Sequence, residues 1–196
     1  MDCCFACIYV LSTYKPSPEG VRGEINSIKT MKKLLYVITA ALCLVACEKK
    51  TSNSDYVDLG LPSGTKWKAV NEENANHKSG LYTMDEMLNE FRGKLPSKKQ
   101  LTELRQECTW TWSETGFKVV GPNGNYIFLP ADGSCDNRSG EIDGLGEDGY
   151  YWSGDTYGGN QAWHLIFTHY ADGSDHFEIT YDIAYWERFS VRLVSK

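Results

Sequence analysis

Apolar residues recur at helical spacing in two adjacent stretches of the chain. The first stretch covers residues 83–91, and its apolar positions are Met84, Met87, Leu88 and Phe91. Thr83 can cap the start of this helix. The second stretch opens at Ser97, which together with Gln100 has the spacing of a capping box. Its apolar face is formed by Leu101, Leu104 and Cys108. The pattern therefore predicts two consecutive amphipathic helices.

Downstream of residue 108 the period changes from helical to alternating, which is typical of β-strands. Strands are predicted at residues 109–112, 117–120, 126–129, 150–153, 162–168, 176–182 and 188–194. The Asn123-Gly124 pair predicts a hairpin turn. A short strand is predicted at 55–61, before the helices. Residues 130–149 are rich in Gly, Asp, Ser and Asn and predict a long surface loop. Helices followed by antiparallel strands favour an α+β fold, with two helices and a curled antiparallel sheet.

The N-terminal part of the sequence is typical of a targeting segment and not of a folded domain. Two lysines follow Met31, a short apolar run comes next, and small residues precede Cys47. This order is typical of an export signal, and the run is short for a permanent membrane span. The ending Leu44-Val45-Ala46-Cys47 resembles the lipobox of bacterial lipoproteins, in which the cysteine carries the lipid.

The position of this signal predicts the domain organisation. Residues 1–30 are interpreted as a disordered stretch that results from a mis-called start, with translation beginning at Met31, and residues 31–46 as the lipoprotein signal peptide. Residues 47–54 are the lipidated cysteine and a polar tether, and residues 55–196 form the folded domain. From residue 48 onward the chain has fifteen Lys and Arg against twenty-three Asp and Glu, a net charge of −8. That balance disfavours nucleic-acid binding, because there is no basic stripe to displace counterions.

A series of ordered sequence blocks covers residues 56–194. They are YVDLGLPSGTKW at 56–67, GLYTMDE at 80–86, KLPS at 94–97, CTWTW at 108–112, GPNG at 121–124, IFLPA at 127–131, GYYWS at 149–153 and FSVRLV at 189–194. This set resembles the major paralogous domain family of secreted Bacteroidetes and Fibrobacter proteins. The resemblance implies a C-type-lectin-like fold of the formylglycine-generating-enzyme type. The implied fold is also similar to that of the C-terminal domain of a collagen-like Legionella adhesin that binds sulfated polysaccharide.

The residue types needed for catalysis are poorly represented, so we do not expect an enzyme. The chain has no Gly-x-Ser-x-Gly motif for a nucleophile, and its four histidines, His77, His164, His169 and His176, are scattered. Beyond the lipidated cysteine, the mature chain has Cys108 and Cys135. They form either a disulfide in an oxidising periplasm or two free thiols.

No cofactor is expected, although a calcium site is an alternative. Hard oxygen ligands occur at short spacing, at Asp132, Asp136, Glu141 and Asp143. Their spacing is not that of an EF-hand, and they lie in a glycine-rich stretch where a solvated loop explains them equally well.

Tyr, Ser, Asp, Asn and His are concentrated in residues 150–187, where they alternate with tryptophans. This mixture is typical of binding faces and suits the stacking of sugar rings on aromatic side chains. Trp152 and Trp163 are assigned to the core by strand alternation. The candidate ligand-binding residues are Tyr157, Asn160, Tyr170, Asp172, His176, Tyr181, Tyr185 and Trp186.

Together these features predict a lipid-anchored, non-enzymatic binding or adhesion module that recognises a glycan or a surface protein. Its expected location is the bacterial outer membrane, on the periplasmic face or at the cell surface. One alternative is a structural component of a cell-envelope assembly without a small ligand. Another is a variable binding protein diversified by a retroelement, since the composition of residues 150–187 is compatible with adenine-directed mutagenesis.

Overall fold

The computed structural model describes residues 55–182 and 186–196. All of the described residues belong to one compact unit. The predicted leader, the signal peptide, Cys47 and the tether lie outside the described residues, as does the candidate ligand residue Tyr185.

Two helices form where the capping signals predict them. Helix α1 is Met84–Phe91 and helix α2 is Lys98–Glu107. Thr83 and Ser97 cap these helices, and each takes part in a reciprocal capping box with the third helical residue. The helix predictions are therefore confirmed, because both starts are fixed by hydrogen bonds between residues three apart in sequence.

The described residues contain twelve strands in four three-stranded antiparallel sheets. The strands are β1 Tyr56–Asp58, β2 Lys66–Lys68, β3 Thr109–Trp112, β4 Gly116–Val120, β5 Tyr126–Pro130, β6 Ser134–Asp136, β7 Ile142–Asp143, β8 Asp148–Thr156, β9 Ala162–His169, β10 Asp175–Asp182, β11 Glu187–Arg188 and β12 Val194–Ser195. The sheet orders are β1-β2-β12, β3-β4-β5, β11-β6-β7 and β10-β9-β8. The structure is thus mixed α and β, compatible with the predicted α+β class.

Two boundary predictions are wrong. Residues 130–149 are not one long loop, since they contain β6, β7 and the start of β8. Their glycines form tight turns between short strands, and Gly133, Gly144 and Gly146 all have positive φ. Residues 188–194 are not one strand either. Isolated bridges separate β11 from β12, because this segment pairs in turn with several different parts of the chain.

The β10-β9-β8 sheet has core packing on both faces. Leu165, Phe167 and Tyr151 belong to a cluster that includes the apolar face of α2. Trp152 and Ala162 belong to a second cluster built around α1. Trp152 is fully buried, as the sequence predicts, and its indole N–H donates to the Tyr82 carbonyl at 2.8 Å.

A buried arginine near the C-terminus ties together β2, β5 and the segment that follows β2. The guanidinium of Arg192 donates to the Asn71 side chain at 2.7 Å, to the Lys68 carbonyl at 2.8 Å and to the Phe128 carbonyl at 2.7 Å. Because each guanidinium nitrogen has an oxygen partner, the charge is compensated by fixed dipoles. This arrangement fixes these three segments relative to one another.

A second arginine joins β11 to the start of helix α1. Arg188 donates to Glu86 at 2.7 and 3.2 Å and to Asn137 at 2.8 Å. Burial opposes the charge of Glu86, but hydrogen bonds from the Thr83 amide and from Arg188 outweigh it and lower the pKa of Glu86. The capping box of α1 is therefore also part of a long-range ion pair.

Candidate functional site

The connection between β8 and β9 projects from one end of the long sheet. Tyr157 begins this turn, and its amide donates to the Gln161 carbonyl at 2.8 Å. Gly158 has φ of +67°, a conformation that favours glycine, and a Cβ added at Gly158 or Gly159 would meet nothing within 4 Å. The turn is therefore open to solvent, with Asn160 exposed on it.

Three aromatic side chains are in consecutive contact beside this turn. The ring centroids of Tyr157 and Tyr181 are 4.2 Å apart, and those of Tyr181 and Trp163 are 4.7 Å apart. Tyr157 is 51% exposed and Tyr181 is 38% exposed, whereas Trp163 is half-buried. We call Tyr157, Tyr181 and Trp163 the aromatic row.

Strand register brings the aromatic row together. Tyr181 of β10 is the Cα partner of Trp163 of β9, so both side chains lie on the same face of the sheet. Tyr157 follows directly after Thr156, which pairs with Ala162 at the end of the β8–β9 ladder. The three rings thus come from two strands and the turn between β8 and β9.

The first residue of helix α2 completes this surface. The Lys98 ammonium lies 3.3 Å from the centroid of the Trp163 ring, which is a cation–π contact. The Lys98 amide donates to the Asp155 carboxylate at 2.8 Å, and the Gly154 amide donates to the Pro96 carbonyl at 2.8 Å. These bonds hold the start of α2 against the end of β8.

The electrostatics of the surface combine neutral hydroxyls with nearby positive charge. The neighbouring Tyr157 raises the pKa of Tyr181, so the hydroxyl of Tyr181 is neutral at physiological pH and can both donate and accept. The positive charge is the Lys98 ammonium over the Trp163 ring, and the Asp155 carboxylate lies at the Lys98 amide.

Sequence reasoning missed two members of this site. Trp163 was assigned to the core with Leu165 and Phe167, but only the latter two are fully buried. Trp163 is the second residue of β9, where α2 offers Lys98 rather than an apolar side chain. Alternation along the strand identifies the face but does not show how far the core extends along it. For Lys98 the sequence holds no comparable signal.

Three other candidates lie at the opposite end of the same sheet. Tyr170 and Asp172 belong to the β9–β10 turn, and His176 follows two residues after Ser174 on β10. Because β9 has eight residues, its two ends are about 23 Å apart at about 3.3 Å per residue. The candidates therefore do not form one surface.

At that opposite end, the polar groups are bonded to one another. The Asp172 carboxylate accepts from the Ser174 hydroxyl at 2.6 Å and from its amide at 2.9 Å, which lowers the pKa of Asp172. The His169 ring hydrogen bonds to Asp175 at 2.6 Å and stacks on Trp112, with centroids 4.3 Å apart. Tyr170 is 49% exposed.

Trp186 is half-exposed and contacts a different sheet. The Arg138 guanidinium lies 5.3 Å from the centroid of the Trp186 ring. The Trp186 carbonyl accepts a hydrogen bond from the Asn137 amide at 2.6 Å. Four Cα–Cα steps separate Asp182 from Trp186, so these two Cα atoms are at most about 15 Å apart. Trp186 is thus tied by chain length to the end of the sheet that carries the aromatic row.

The calcium candidates have other partners in the structure. Asp132 accepts from Asn71 at 3.0 Å and from Ser190 at 2.9 Å. The Arg138 guanidinium bonds to Asp136 and holds the pKa of that carboxyl well below its usual range. Glu141 is exposed, and Asp143 accepts from the Gly144 amide at 3.1 Å. Within the described residues, no three His, Cys, Asp or Glu side chains are grouped so as to hold a metal ion.

Cys108 and Cys135 are both buried free thiols, so the disulfide considered from the sequence is not formed. Cys108 caps the end of α2 within the core, and burial raises its pKa to about 11. Cys135 is the middle residue of β6. A thiol with a raised pKa is a poor nucleophile at neutral pH.

The described histidines have structural surroundings. His164 is 2% exposed and lies between Trp152 and Phe189. His77 hydrogen bonds to the Ser79 hydroxyl at 2.7 Å, and the Nε2 of His176 lies 3.8 Å from Glu178.

No family model, curated protein or solved structure matches the chain. None of the helices that the structure describes has the length and apolarity needed to cross a lipid bilayer.

Proposed function

We propose that the chain is a non-enzymatic binding module of the bacterial cell envelope, and that its aromatic row binds a glycan. The observation that carries the proposal is the contact between three partly exposed rings at one sheet end. Monomeric proteins usually bury such rings or keep them apart, and grouped exposed aromatics are typical of ligand sites.

The chemistry of the aromatic row suits a sugar ring. The apolar C–H face of a saccharide can stack on Tyr157 or Tyr181, while its hydroxyls hydrogen bond to polar groups at the rim. The tyrosine hydroxyls, the Asn160 amide and the Lys98 ammonium supply donors at that rim. Two exposed rings in contact offer stacking area at little cost in side-chain entropy.

The finer assignment of the fold belongs to the same proposal. We assign the domain to the major paralogous domain family and its fold to the C-type-lectin-like type on the sequence blocks of residues 56–194. The mixed architecture, with two helices and small antiparallel sheets, is compatible with that assignment.

Binding to a glycan is tested with a saccharide array probed by the full-length protein in detergent micelles. We expect selective binding that is lost in the Tyr157→Ala and Tyr181→Ala variants. Tyr170→Ala is the matched control, since Tyr170 is equally exposed at the other end of the sheet. Equal loss in all three variants, or binding of an outer-membrane protein in place of any saccharide, would contradict a glycan site in the aromatic row.

The proposal places the chain in the outer membrane through a lipid on Cys47. Replacing Cys47 with Ala should prevent lipidation and release the protein from membranes after cell fractionation. Cys43→Ala is the matched control, because Cys43 lies in the same apolar stretch four residues earlier. If the Cys47→Ala protein remained membrane-bound with the mass of the wild type, the lipid anchor would be wrong.

A further inference from the structure

Strand β10 forms an open edge of the long sheet. Among the strands that the structure describes, the order β10-β9-β8 leaves one side of β10 without a neighbour. Its pairing with β9 is continuous over eight residues, from Asp175 to Asp182. Among the described residues, no backbone hydrogen bond reaches its outer side. The N–H and C=O groups on that side are therefore available for another strand.

This edge differs from the other sheet edges that the structure describes. On the opposite side of the same sheet, β8 is bridged at Tyr151 by Ser190 and at Gly149 by Gly133, and it contains a bulge. The edge strands of the other sheets have two to five residues. By contrast, β10 has eight residues and no proline, lysine or bulge, and the charged residues it does carry are acidic, as at Asp175 and Glu178.

We propose that a second copy of this chain pairs with β10 in antiparallel fashion, edge to edge, about a twofold axis at Ile179. Such a pair joins the two β10-β9-β8 sheets into one continuous six-stranded sheet. The interface is isologous, as in most homodimers. The proposal does not rest on glycan binding, although Tyr181 belongs to both surfaces.

The sequence of β10 is symmetric about Ile179, which favours a second copy over an unrelated strand. Aromatic residues stand two positions before and two positions after it, at Phe177 and Tyr181. All three side chains lie on one face, because strand residues alternate between faces. With the axis at Ile179, each Phe177 faces Tyr181 of the second copy, and the two Ile179 side chains face each other.

The charges on the other face disfavour the neighbouring register centred on Glu178. A twofold axis perpendicular to the sheet keeps the two faces distinct, so it must pass at a residue rather than between two residues. With the axis at Ile179, Glu178 faces Thr180 of the second copy. Moving the axis to Glu178 would place two glutamates directly opposite each other, which is unfavourable.

The register is tested by cross-linking of the full-length protein in intact cells. We expect Ile179→Cys to give a disulfide-linked dimer on non-reducing gels, above the wild-type background. Glu178→Cys is the matched control, since its thiols meet only in the alternative register. Cross-linking of both variants to equal extent, or of neither above the background, would overturn the proposed register.

The charge on the opposite face provides a test that leaves Ile179 intact. Thr180→Glu places two glutamates opposite each other twice in the dimer, whereas Thr180→Lys creates two opposite-charge pairs. We expect the dimer fraction of the full-length protein, measured by sedimentation velocity in detergent micelles, to fall in the first variant and rise in the second.

A charge reversal separates pairing from general effects on folding. Adding Glu178→Lys to Thr180→Glu should restore the wild-type dimer fraction, because opposite charges face each other again. A dimer fraction that is unchanged, or that falls equally in both single variants, would show that β10 is not paired with a second copy in this register.

Discussion

The two ends of the β10-β9-β8 sheet carry similar side chains with different partners. At the β9–β10 turn, Asp172 bonds to Ser174 and His169 bonds to Asp175. At the β8–β9 turn, Tyr157 and Tyr181 contact each other and leave their exposed sides to solvent. Composition alone does not separate these ends, because it reports residue types and not which groups are already bonded.

This difference indicates that the two ends of the sheet have different roles. The His169 end is stabilised by a stacked Trp112 and by short polar contacts, so its side chains serve the fold. The aromatic row contributes little to the buried core and offers its surface to a ligand.

The largest effect should come from Trp112 at the His169 end. Trp112→Ala removes contacts to both His169 and Phe117, and we expect it to lower the free energy of unfolding by about 2–3 kcal/mol. Tyr157→Ala should lower it by less than about 1 kcal/mol, because that ring is half-exposed. Urea unfolding followed by circular dichroism measures both. A larger loss for Tyr157→Ala would reverse the assigned roles.

The second effect concerns how Tyr181 contacts a saccharide. Tyr181→Ala should weaken binding to a saccharide found on the array about tenfold, since loss of an aromatic stacking contact costs about 1.4 kcal/mol at most. Tyr181→Phe keeps the ring and should stay within about threefold, as a single neutral hydrogen bond has a small net value. Titration calorimetry distinguishes the two. Equal losses would mean that the hydroxyl, not the ring, makes the contact.

A smaller effect is expected from the cation over Trp163. Lys98→Met keeps the apolar stem but removes the charge, and we expect the unfolding free energy to fall by about 0.5–1 kcal/mol. Lys99→Met is the matched control, because Lys99 is the next residue along the chain, is exposed and has no ring contact in the structure. A similar loss in both variants would assign the effect to overall charge.

The smallest effect should be a change in the pH dependence of stability. Hydrogen bonds from Ser174 lower the pKa of Asp172 in the folded state. The stability that this carboxylate contributes to the folded protein is therefore complete above the unfolded pKa of about 3.8. It is lost as the pH falls through the lowered folded pKa. In Asp172→Asn, the unfolding midpoint should therefore decrease less between pH 6 and pH 3 than in the wild type. An unchanged slope would show that the turn does not depend on this carboxylate.

The parts of the fold that were predicted correctly depend on short stretches of sequence. The capping boxes at Thr83 and Ser97 place both helices, and the Asn123-Gly124 turn places the β4–β5 hairpin. The signals at residues 130–149 were also local, but glycine and aspartate serve tight turns between short strands as readily as long loops. Strands of two or three residues leave no periodic pattern.

The candidate site was only half predictable. The composition of residues 150–187 drew attention to the right segment, and Tyr157 and Tyr181 do contact each other. The same composition also selected Tyr170, Asp172 and His176, which lie at the opposite end of the β10-β9-β8 sheet because β9 runs away from the aromatic row. It omitted Lys98, which lies in a helix 65 positions before Trp163.

Local sequence patterns specify the helix starts, the main strands of the long sheet and the segment in which exposed aromatics concentrate. These features follow from hydrogen bonds and side-chain periods that extend over a few residues. Which side chains share a surface emerges only in the folded chain, as with Arg188 and Glu86, which are 102 positions apart. Contacts between distant residues depend on strand register and helix packing, which no local pattern specifies.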